Sequence, residues 1–243
     1  MGVHAGYTAT KAGITREQQD TFSAASHRKA IAAQQAGKFT AEIVPVEIPG
    51  RKGPSLISHD EGPRADTTED SLATLRPAFP SAGVDSSTLS VTAGNASSLN
   101  DGAAAVVVTS EAYARQQGLT ILARITGYAT GAGDPRDLFF APITAVKNLM
   151  HKTGTTINDF DLIEANEAFA SQALADGAGL GWDANRVNVN GGAIALGHPI
   201  GASGARVLVT LLYAMADRNA RTGLVTLCLG GGDAVALSVE RVG

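Results

Sequence analysis

The chain has 243 residues, of which 44% are hydrophobic and 17% are charged, and its formal net charge is −4. This composition is typical of a folded globular protein and excludes a largely disordered one. The net negative charge disfavours a broad nucleic-acid-binding face. No apolar run reaches the roughly 18 residues that a transmembrane helix needs. We therefore expect no nucleic-acid partner, no membrane partner and a cytoplasmic location.

The first part of the sequence predicts helices separated by loops. Thr15 and Gln18 form a capping-box pattern, which predicts a helix over residues 15–37. Alternating apolar residues at 42–49 predict a strand, and its prolines confine it to the edge of a sheet. A short helix is predicted to open at Thr67 and to end before the next proline.

Beyond a polar stretch at residues 80–87, strands and helices alternate. We place a domain boundary near residue 100, which divides the chain into residues 1–99 and 100–243. The predicted strands lie at 103–109, 121–128, 159–165, 223–228 and 234–240, with a short extended segment at 187–190. Helices are predicted after Ser110 and at 142–152, 167–176 and 201–216. This alternation predicts an α/β fold with a mixed sheet covered by helices.

Asn166 stands in the segment Asn-Glu-Ala-Phe, at a predicted transition from strand to helix. A polar side chain there can face a cleft at the carboxyl end of a sheet, where α/β proteins tend to bind ligands. The alternative interpretation is that Asn166 caps the following helix.

His198 lies in a glycine-rich loop, residues 190–204, that leads into a helix. Such a loop allows close approach of a ligand to the backbone, and imidazole is suited to proton transfer at neutral pH. Taken alone, a single histidine of this kind is more often structural.

Cys228 is the single cysteine of the sequence and precedes three glycines. One thiol cannot form an internal disulfide or an all-cysteine metal site, and we predict no metal site. The glycines leave backbone amides free to face a substrate oxygen. The alternative is that Cys228 is a buried apolar residue.

Taken together, these segments resemble the C-terminal half of the thiolase family. The matching motifs occur in the family's order and spacing: N-E-A-F, then G-G-x-x-x-x-G-H-P-x-G-x-S-G, then C-x-G-G-G. Further matches extend the resemblance over essentially the whole chain, at Ile14–Asp20, Phe39–Pro45, Leu75–Phe79 and Val91–Ser97. The resemblance implies a thiolase-like fold, with the C-terminal core half at 100–243 and part of the loop domain, on the coenzyme A side, at 1–99.

The resemblance also implies an activity, the condensation of two acetyl-CoA molecules to acetoacetyl-CoA or the reverse thiolysis. His198 would activate a nucleophilic cysteine and bind an oxyanion, and Cys228 would be the acid/base cysteine. Asn166 would position a water in an oxyanion hole, and the Gly230 amide would serve a second one. No cofactor would be bound permanently, since coenzyme A enters as substrate. The positions matching family substrate-binding residues are Met1, Arg64, Phe79, Ala93, Ala96, Ser97, Ala168 and Phe169.

Two departures from the family pattern qualify this prediction. The family's nucleophilic cysteine lies in an N-terminal domain, at a position that would precede Met1, and Cys228 is already assigned as the base. We therefore expect the chain to pair with an N-terminal thiolase domain or to form homo-oligomers. Asp233 follows the glycines where the family has an uncharged residue, and a carboxylate near Cys228 would disfavour its thiolate. The alternative function is a non-catalytic module that binds coenzyme A or mediates assembly.

Overall fold

The computed structural model describes residues 1–79 and 89–242, so the polar stretch predicted at 80–87 lies outside the described residues. The helices are α1 (Gly2–Ala12), α2 (Arg16–Gln35), α3 (Glu69–Ala73), α4 (Glu111–Gln116), α5 (Ala141–Thr153), α6 (Ala170–Leu180), α7 (Ala193–Leu196) and α8 (Ser203–Asp217). The strands are β1 (Val46–Ile48), β2 (Ser55–Ile57), β3 (Ala123–Ala132), β4 (Leu162–Ala165), β5 (Thr222–Leu229) and β6 (Asp233–Arg241). Within the described ranges, every helix is too short or too polar to span a bilayer.

A four-stranded mixed sheet in the order β3-β6-β5-β4 forms the centre of the second half. The β4 and β5 strands are parallel, and β6 runs antiparallel to both of its neighbours. Successive residues of β4 point to opposite faces, so Ile163 packs under α5 while Leu162 packs under α8. The observed α/β architecture, a mixed sheet with helices on both faces, confirms the predicted fold class.

The helix predicted at 15–37 is confirmed as α2, and its predicted capping box is formed. The Thr15 hydroxyl accepts from the Gln18 amide, and the Gln18 side chain accepts from the Thr15 amide. Gly37 follows the helix with a φ of 67°, the left-handed conformation that glycine adopts without strain.

The strand predicted at 103–109 is wrong. Residues 101–110 form no strand, and the side chains of Val107 and Val108 are 88% and 69% exposed. An apolar run becomes a strand only when a neighbouring strand takes up its backbone hydrogen bonds. No strand among the described residues lies beside this segment, so it runs along the surface.

Smaller differences concern the ends of elements. The helix predicted at 167–176 begins at Ala170 and ends at Leu180, and its N-cap is Phe169. The interpretation of Asn166 as a helix cap is therefore wrong. The strand predicted at 42–49 shortens to β1, an exposed three-residue partner of β2. The extended segment at 187–190 reduces to a single bridge between Val187 and Ile163.

Helix α1 was not predicted from the sequence, and packing accounts for it. Its residue Ala5 is fully buried in a cluster with Leu138 and Phe139, which belong to the 3₁₀ turn Pro135–Phe140. Lys11 at its other end forms an ion pair with Asp137 at 2.7 Å. Because this helix has no side-chain cap, tertiary contacts supply most of its stability.

Candidate functional site

The parallel strands β4 and β5 bring two of the predicted site residues to one edge of the sheet. Asn166 directly follows β4, and its backbone N–H donates to the carbonyl of Thr226 in β5 at 3.0 Å. Cys228 lies two residues beyond Thr226, so its side chain points to the same face of β5. The carboxyl ends of parallel strands meet at one edge, which is where α/β proteins place their ligands.

His198 joins this edge through the glycine-rich loop. Its Nε2 atom lies 3.4 Å from Nδ2 of Asn166, and its Nδ1 atom lies 2.6 Å from the hydroxyl oxygen of Ser203. The Ser203 hydroxyl also donates to the carbonyl of Pro199 at 2.9 Å. Since a hydroxyl carries one proton, Nδ1 donates to Ser203, and the lone pair of Nε2 is left to accept from Nδ2 of Asn166.

The electrostatics of His198 favour the neutral imidazole. Burial, and then the Arg206 guanidinium, lower the pKa of His198 from its usual value. A neutral ring with an unprotonated Nε2 is the form that accepts a proton from a thiol.

Asn166 presents an unoccupied acceptor to the same space. Its side chain is 2% exposed, and its Oδ1 atom is buried with no hydrogen-bond partner among the described residues. Buried polar atoms nearly always have a partner, and an ordered water is a common one. The side-chain oxygen of Asn166 can therefore bind a water beside Nε2 of His198.

Cys228 occupies a half-buried position near the end of β5, packed against the apolar cluster that contains Ala168 and that Ala96 and Phe169 also contact. Burial, and then the negative charge of Asp176, raise the pKa of the Cys228 thiol to about 12. The thiol is thus protonated at neutral pH. The expectation that Asp233 would act on Cys228 is wrong: Asp233 accepts from the amide of Ala234, and the carboxylate that acts on the thiol is Asp176.

Glu167 holds the loop that carries His198. Its carboxylate accepts from the Ser26 hydroxyl at 2.7 Å, from Nδ2 of Asn188 at 2.8 Å and from the Ile194 amide at 3.2 Å. A Cβ on Gly192 would overlap this carboxylate, so the approach requires glycine at that position. The loop is thereby fixed to α2 and to the end of β4.

Five of the predicted substrate-binding positions lie in or next to the apolar cluster that Cys228 packs against. Ala96 forms an isolated bridge with Phe169, and Ser97 donates through both its amide and its hydroxyl to the carbonyl of Ala168, at 3.1 and 2.9 Å. Phe79 packs edge-on against Phe169, with ring centroids 6.5 Å apart. Together these residues form an apolar wall on the cluster that Cys228 also contacts.

The remaining predicted positions are exposed to solvent. Met1 is 65% exposed at the start of α1, and Ala93 is exposed on its loop. Gly230 is exposed, two residues beyond Cys228. Arg64 is exposed on the other side of α2, where it lines a cavity of about 180 Å³ with Arg28.

Sequence reasoning missed Ser203, Glu167 and Asp176 as parts of this site. Ser203 lies five residues after His198, within the motif G-H-P-x-G-x-S-G, so the spacing is a usable signal. Glu167 directly follows Asn166, and burial of its carboxylate cannot be inferred from that position. Asp176 gives no signal in the sequence, since it is one of three polar residues in α6, with Ser171 and Gln172, and nothing in the spacing singles it out.

Two family models match the chain, the thiolase N-terminal domain over residues 1–112 and the thiolase C-terminal domain over residues 119–241. Acetyl-CoA acetyltransferase from Pseudomonas aeruginosa is 57% identical over 99% of this chain and 60% of its own length. The enzyme of the same name from Escherichia coli is 53% identical over 100% of this chain and 60% of its own length. The chain belongs to the thiolase family.

Comparison with solved structures gives the same family relationship. The crystal structure of Bacillus anthracis acetyl-CoA acetyltransferase superimposes with a TM-score of 0.94 at 44% identity, over 100% of this chain and 60% of that one. Human mitochondrial 3-ketoacyl-CoA thiolase gives 0.89 at 35% identity, over 98% of this chain and 59% of that one. The chain thus has a thiolase fold and spans about 60% of the length of the curated relatives it matches.

Proposed function

We propose that this chain supplies the His198, Asn166 and Cys228 part of a thiolase-type acyltransferase site. The reaction is the condensation of two acetyl-CoA molecules to acetoacetyl-CoA and CoA, or the reverse thiolysis. The observation that carries the proposal is the arrangement around His198, whose Nδ1 is engaged by Ser203 and whose Nε2 faces Asn166. A histidine with only a structural role would not need its unprotonated nitrogen beside a buried amide oxygen that has no hydrogen-bond partner among the described residues.

Each residue then has a chemical role that its surroundings support. Nε2 of His198 accepts the proton of the nucleophilic thiol, and once protonated it donates to the thioester oxygen. A water held by Oδ1 of Asn166 is a second donor for that oxygen. Cys228 exchanges a proton with the α-carbon of the acetyl group, and its protonated resting form is the one that thiolysis requires to quench the enolate.

The acyl-carrying nucleophile must come from another segment, because Cys228 is the single cysteine here. A thiolase N-terminal segment that carries the nucleophilic cysteine is the partner that fits, and homo-oligomers are the assembly that the family suggests. The apolar wall of Phe79, Ala96 and Phe169 suits a pantetheine arm. Arg64, which is exposed beside α2, would serve the phosphates at the nucleotide end, since a guanidinium can bind them bidentately.

Thiolysis of acetoacetyl-CoA by the purified chain, with and without an added thiolase N-terminal domain, tests the proposal. We expect activity only with the added domain, and we expect His198→Ala to abolish it. His151→Ala, which changes an exposed histidine of α5, is the matched control and should retain activity. If the two parts form a stable complex that shows no thiolysis, the proposal is wrong.

A further inference from the structure

Ser26 is a buried residue of α2 whose hydroxyl connects this helix to a distant part of the chain. The side chain is 3% exposed. Its hydroxyl donates to Oε2 of Glu167 at 2.7 Å and accepts from the backbone N–H of Gly192 at 3.0 Å. Ser23, which is fully buried in the same helix, instead donates to the carbonyl of Gln19 one turn earlier. Ser26 therefore makes tertiary hydrogen bonds that a buried serine of a helix can do without.

The two hydrogen bonds of Ser26 fix the start of α7. Gly192 is the N-cap residue of this helix and, as a glycine, has no side chain that could cap it. The backbone N–H of Ile194, in the first turn, donates to Oε2 of Glu167 at 3.2 Å, the same oxygen that accepts from Ser26. Ser26 and Glu167 thus bind, from outside the helix, backbone groups at an end where a capping side chain is missing.

Helix α7 leads from these bonds to His198. It has four residues, and the backbone N–H of Gly197 closes it with a hydrogen bond to the carbonyl of Ala193 at 2.8 Å. The backbone N–H of His198 then donates to the carbonyl of Ser98 at 3.1 Å. Because so short a hydrogen-bonded turn moves as a unit, a displacement at Gly192 is passed on to the imidazole of His198.

The same turn of α2 supports a second segment independently of Ser26. Nδ1 of His27 accepts from the backbone N–H of Arg64 at 3.1 Å. Ala30, one turn after Ser26, lies against Gly191, where an added Cβ would come within 2.7 Å of the Cβ of Ala30. The loop that carries His198 therefore rests directly on α2, whereas the segment of Arg64 is held by a different side chain.

We propose that Ser26 is a positioning residue for His198. Its hydroxyl sets the place of Gly192 on α2 and thereby the place of Nε2 of His198 against Asn166. In Ser26→Ala, the buried N–H of Gly192 and the carboxylate of Glu167 each lose this partner, which favours a shift of the loop. The inference rests on the proposed function only where it gives His198 the role of proton acceptor.

The ¹⁵N NMR spectrum of His198 tests the proposal without turnover. We expect Ser26→Ala to shift the Nε2 resonance, since the contact with Asn166 depends on the place of α7. A single tautomer should remain, because Nδ1 is still engaged by Ser203. Ser23→Ala removes a buried hydroxyl from the same helix and is the matched control, so it should leave the resonance in place. An unchanged His198 resonance in folded Ser26→Ala would overturn the proposal.

In the reconstituted enzyme, Ser26→Ala should lower kcat by on the order of tenfold, with KM little changed. KM should hold because the support of Arg64 by His27 does not involve Ser26. Ser23→Ala should retain both parameters. Equal losses of kcat in the two variants would indicate a general loss of stability and would contradict the proposal. An inactive wild-type enzyme would count against the acyltransferase proposal alone, because the NMR result does not depend on activity.

The wild-type chain answers the same question if Ser26→Ala does not fold. The backbone N–H of Gly192 should be protected from hydrogen exchange, because its acceptor is a buried hydroxyl. The backbone N–H of Gly201, an exposed residue of the same glycine-rich loop, is the reference and should exchange faster. Exchange of the two amides at the same rate would refute the hydrogen bond from Gly192 to Ser26, and the proposal with it.

Discussion

Ser203 determines which nitrogen of His198 carries a proton. Its hydroxyl donates to the Pro199 carbonyl and accepts from Nδ1, so the proton-accepting nitrogen is the one that faces Asn166. Without the hydroxyl, both tautomers of the ring become available.

We therefore expect Ser203→Ala to lower kcat of the reconstituted enzyme by about tenfold, with KM little changed. The direct measurement is the ¹⁵N NMR spectrum of His198, which should show mixed tautomers in the variant and one tautomer in the wild type. Ser203→Thr retains a hydroxyl and should restore the single tautomer. An unchanged spectrum in Ser203→Ala would exclude this role.

At this scale, the sequence predicts the residues proposed to react better than the residues that hold them in position. Asn166, His198 and Cys228 belong to short motifs that can be recognised in the sequence without knowledge of the fold. Glu167 and Asp176 act through burial, which depends on how α2, α6 and the glycine-rich loop pack together. Because burial depends on tertiary packing, periodicity and spacing could not reveal it.

Helix α5 covers one face of the central sheet and supplies its largest apolar contact there. Leu149 is fully buried against Ile163 and Leu224, and Val146 lies one turn away. The helix predicted at 142–152 from the suitability of Pro142 for a first turn lies within the observed bounds of α5, and Gly154 follows the helix with a φ of 71°.

Truncation of this contact should destabilise the fold. We expect Leu149→Ala to lower the free energy of unfolding by about 3 kcal/mol, from lost burial and the cavity that remains. Urea denaturation followed by circular dichroism measures this change. Ile200→Ala removes a side chain that is 72% exposed, and it should change stability by less than about 0.5 kcal/mol. Similar effects of the two substitutions would refute the assignment of Leu149 to the core.

The segment at 103–109 shows the limit of prediction for an element. Its apolar residues indicate a buried strand, but whether a strand forms depends on a partner strand elsewhere in the chain or in another chain. Residues 103–109 carry an intact apolar pattern and remain exposed. A pattern of this kind reports a preference for burial and does not identify the partner.

That exposed segment should make the isolated chain associate. We expect sedimentation velocity to show that the average size of the associated species increases with protein concentration, because Val107 and Val108 present apolar surface to water. Replacing Val107 with lysine should reduce the association while leaving the circular dichroism spectrum unchanged. Leu56→Lys, which places a charge on exposed β2, is a control expected to have less effect. A chain that stays monomeric at all concentrations would contradict this prediction.

At the scale of the molecule, a cluster of carboxyl groups around Arg206 links the first half of the chain to the sheet. Burial raises the pKa of Glu164 on β4 to about 8 and that of Glu42 to about 7. Arg206 on α8 lies 3.9 Å from Glu164 and only partly offsets the cost of burial. The folded state therefore favours the protonated carboxyls.

This cluster predicts how stability depends on pH. In the unfolded chain these groups ionise near their usual value of 4.5, so the folded state binds more protons above that pH. Stability should fall as pH rises, by about 6 kcal/mol between about pH 5 and about pH 8, more than half of it from Glu164. Urea denaturation across this range measures the trend, and Glu164→Gln should flatten it. A wild-type stability that rises with pH would contradict the assignment.

The order of the sheet has a consequence for how the chain is made. Strands β3 and β6 are paired neighbours, with Ala132 opposite Asp233, although about 100 residues separate them in sequence. During synthesis on the ribosome, β3 emerges long before β6 and has no hydrogen-bonding neighbour during that interval. The strand that completes the sheet is the last of the six to be translated. Until β6 is translated, the nascent chain therefore exposes an unpaired strand. Chaperone binding would protect the chain from aggregation most at this stage.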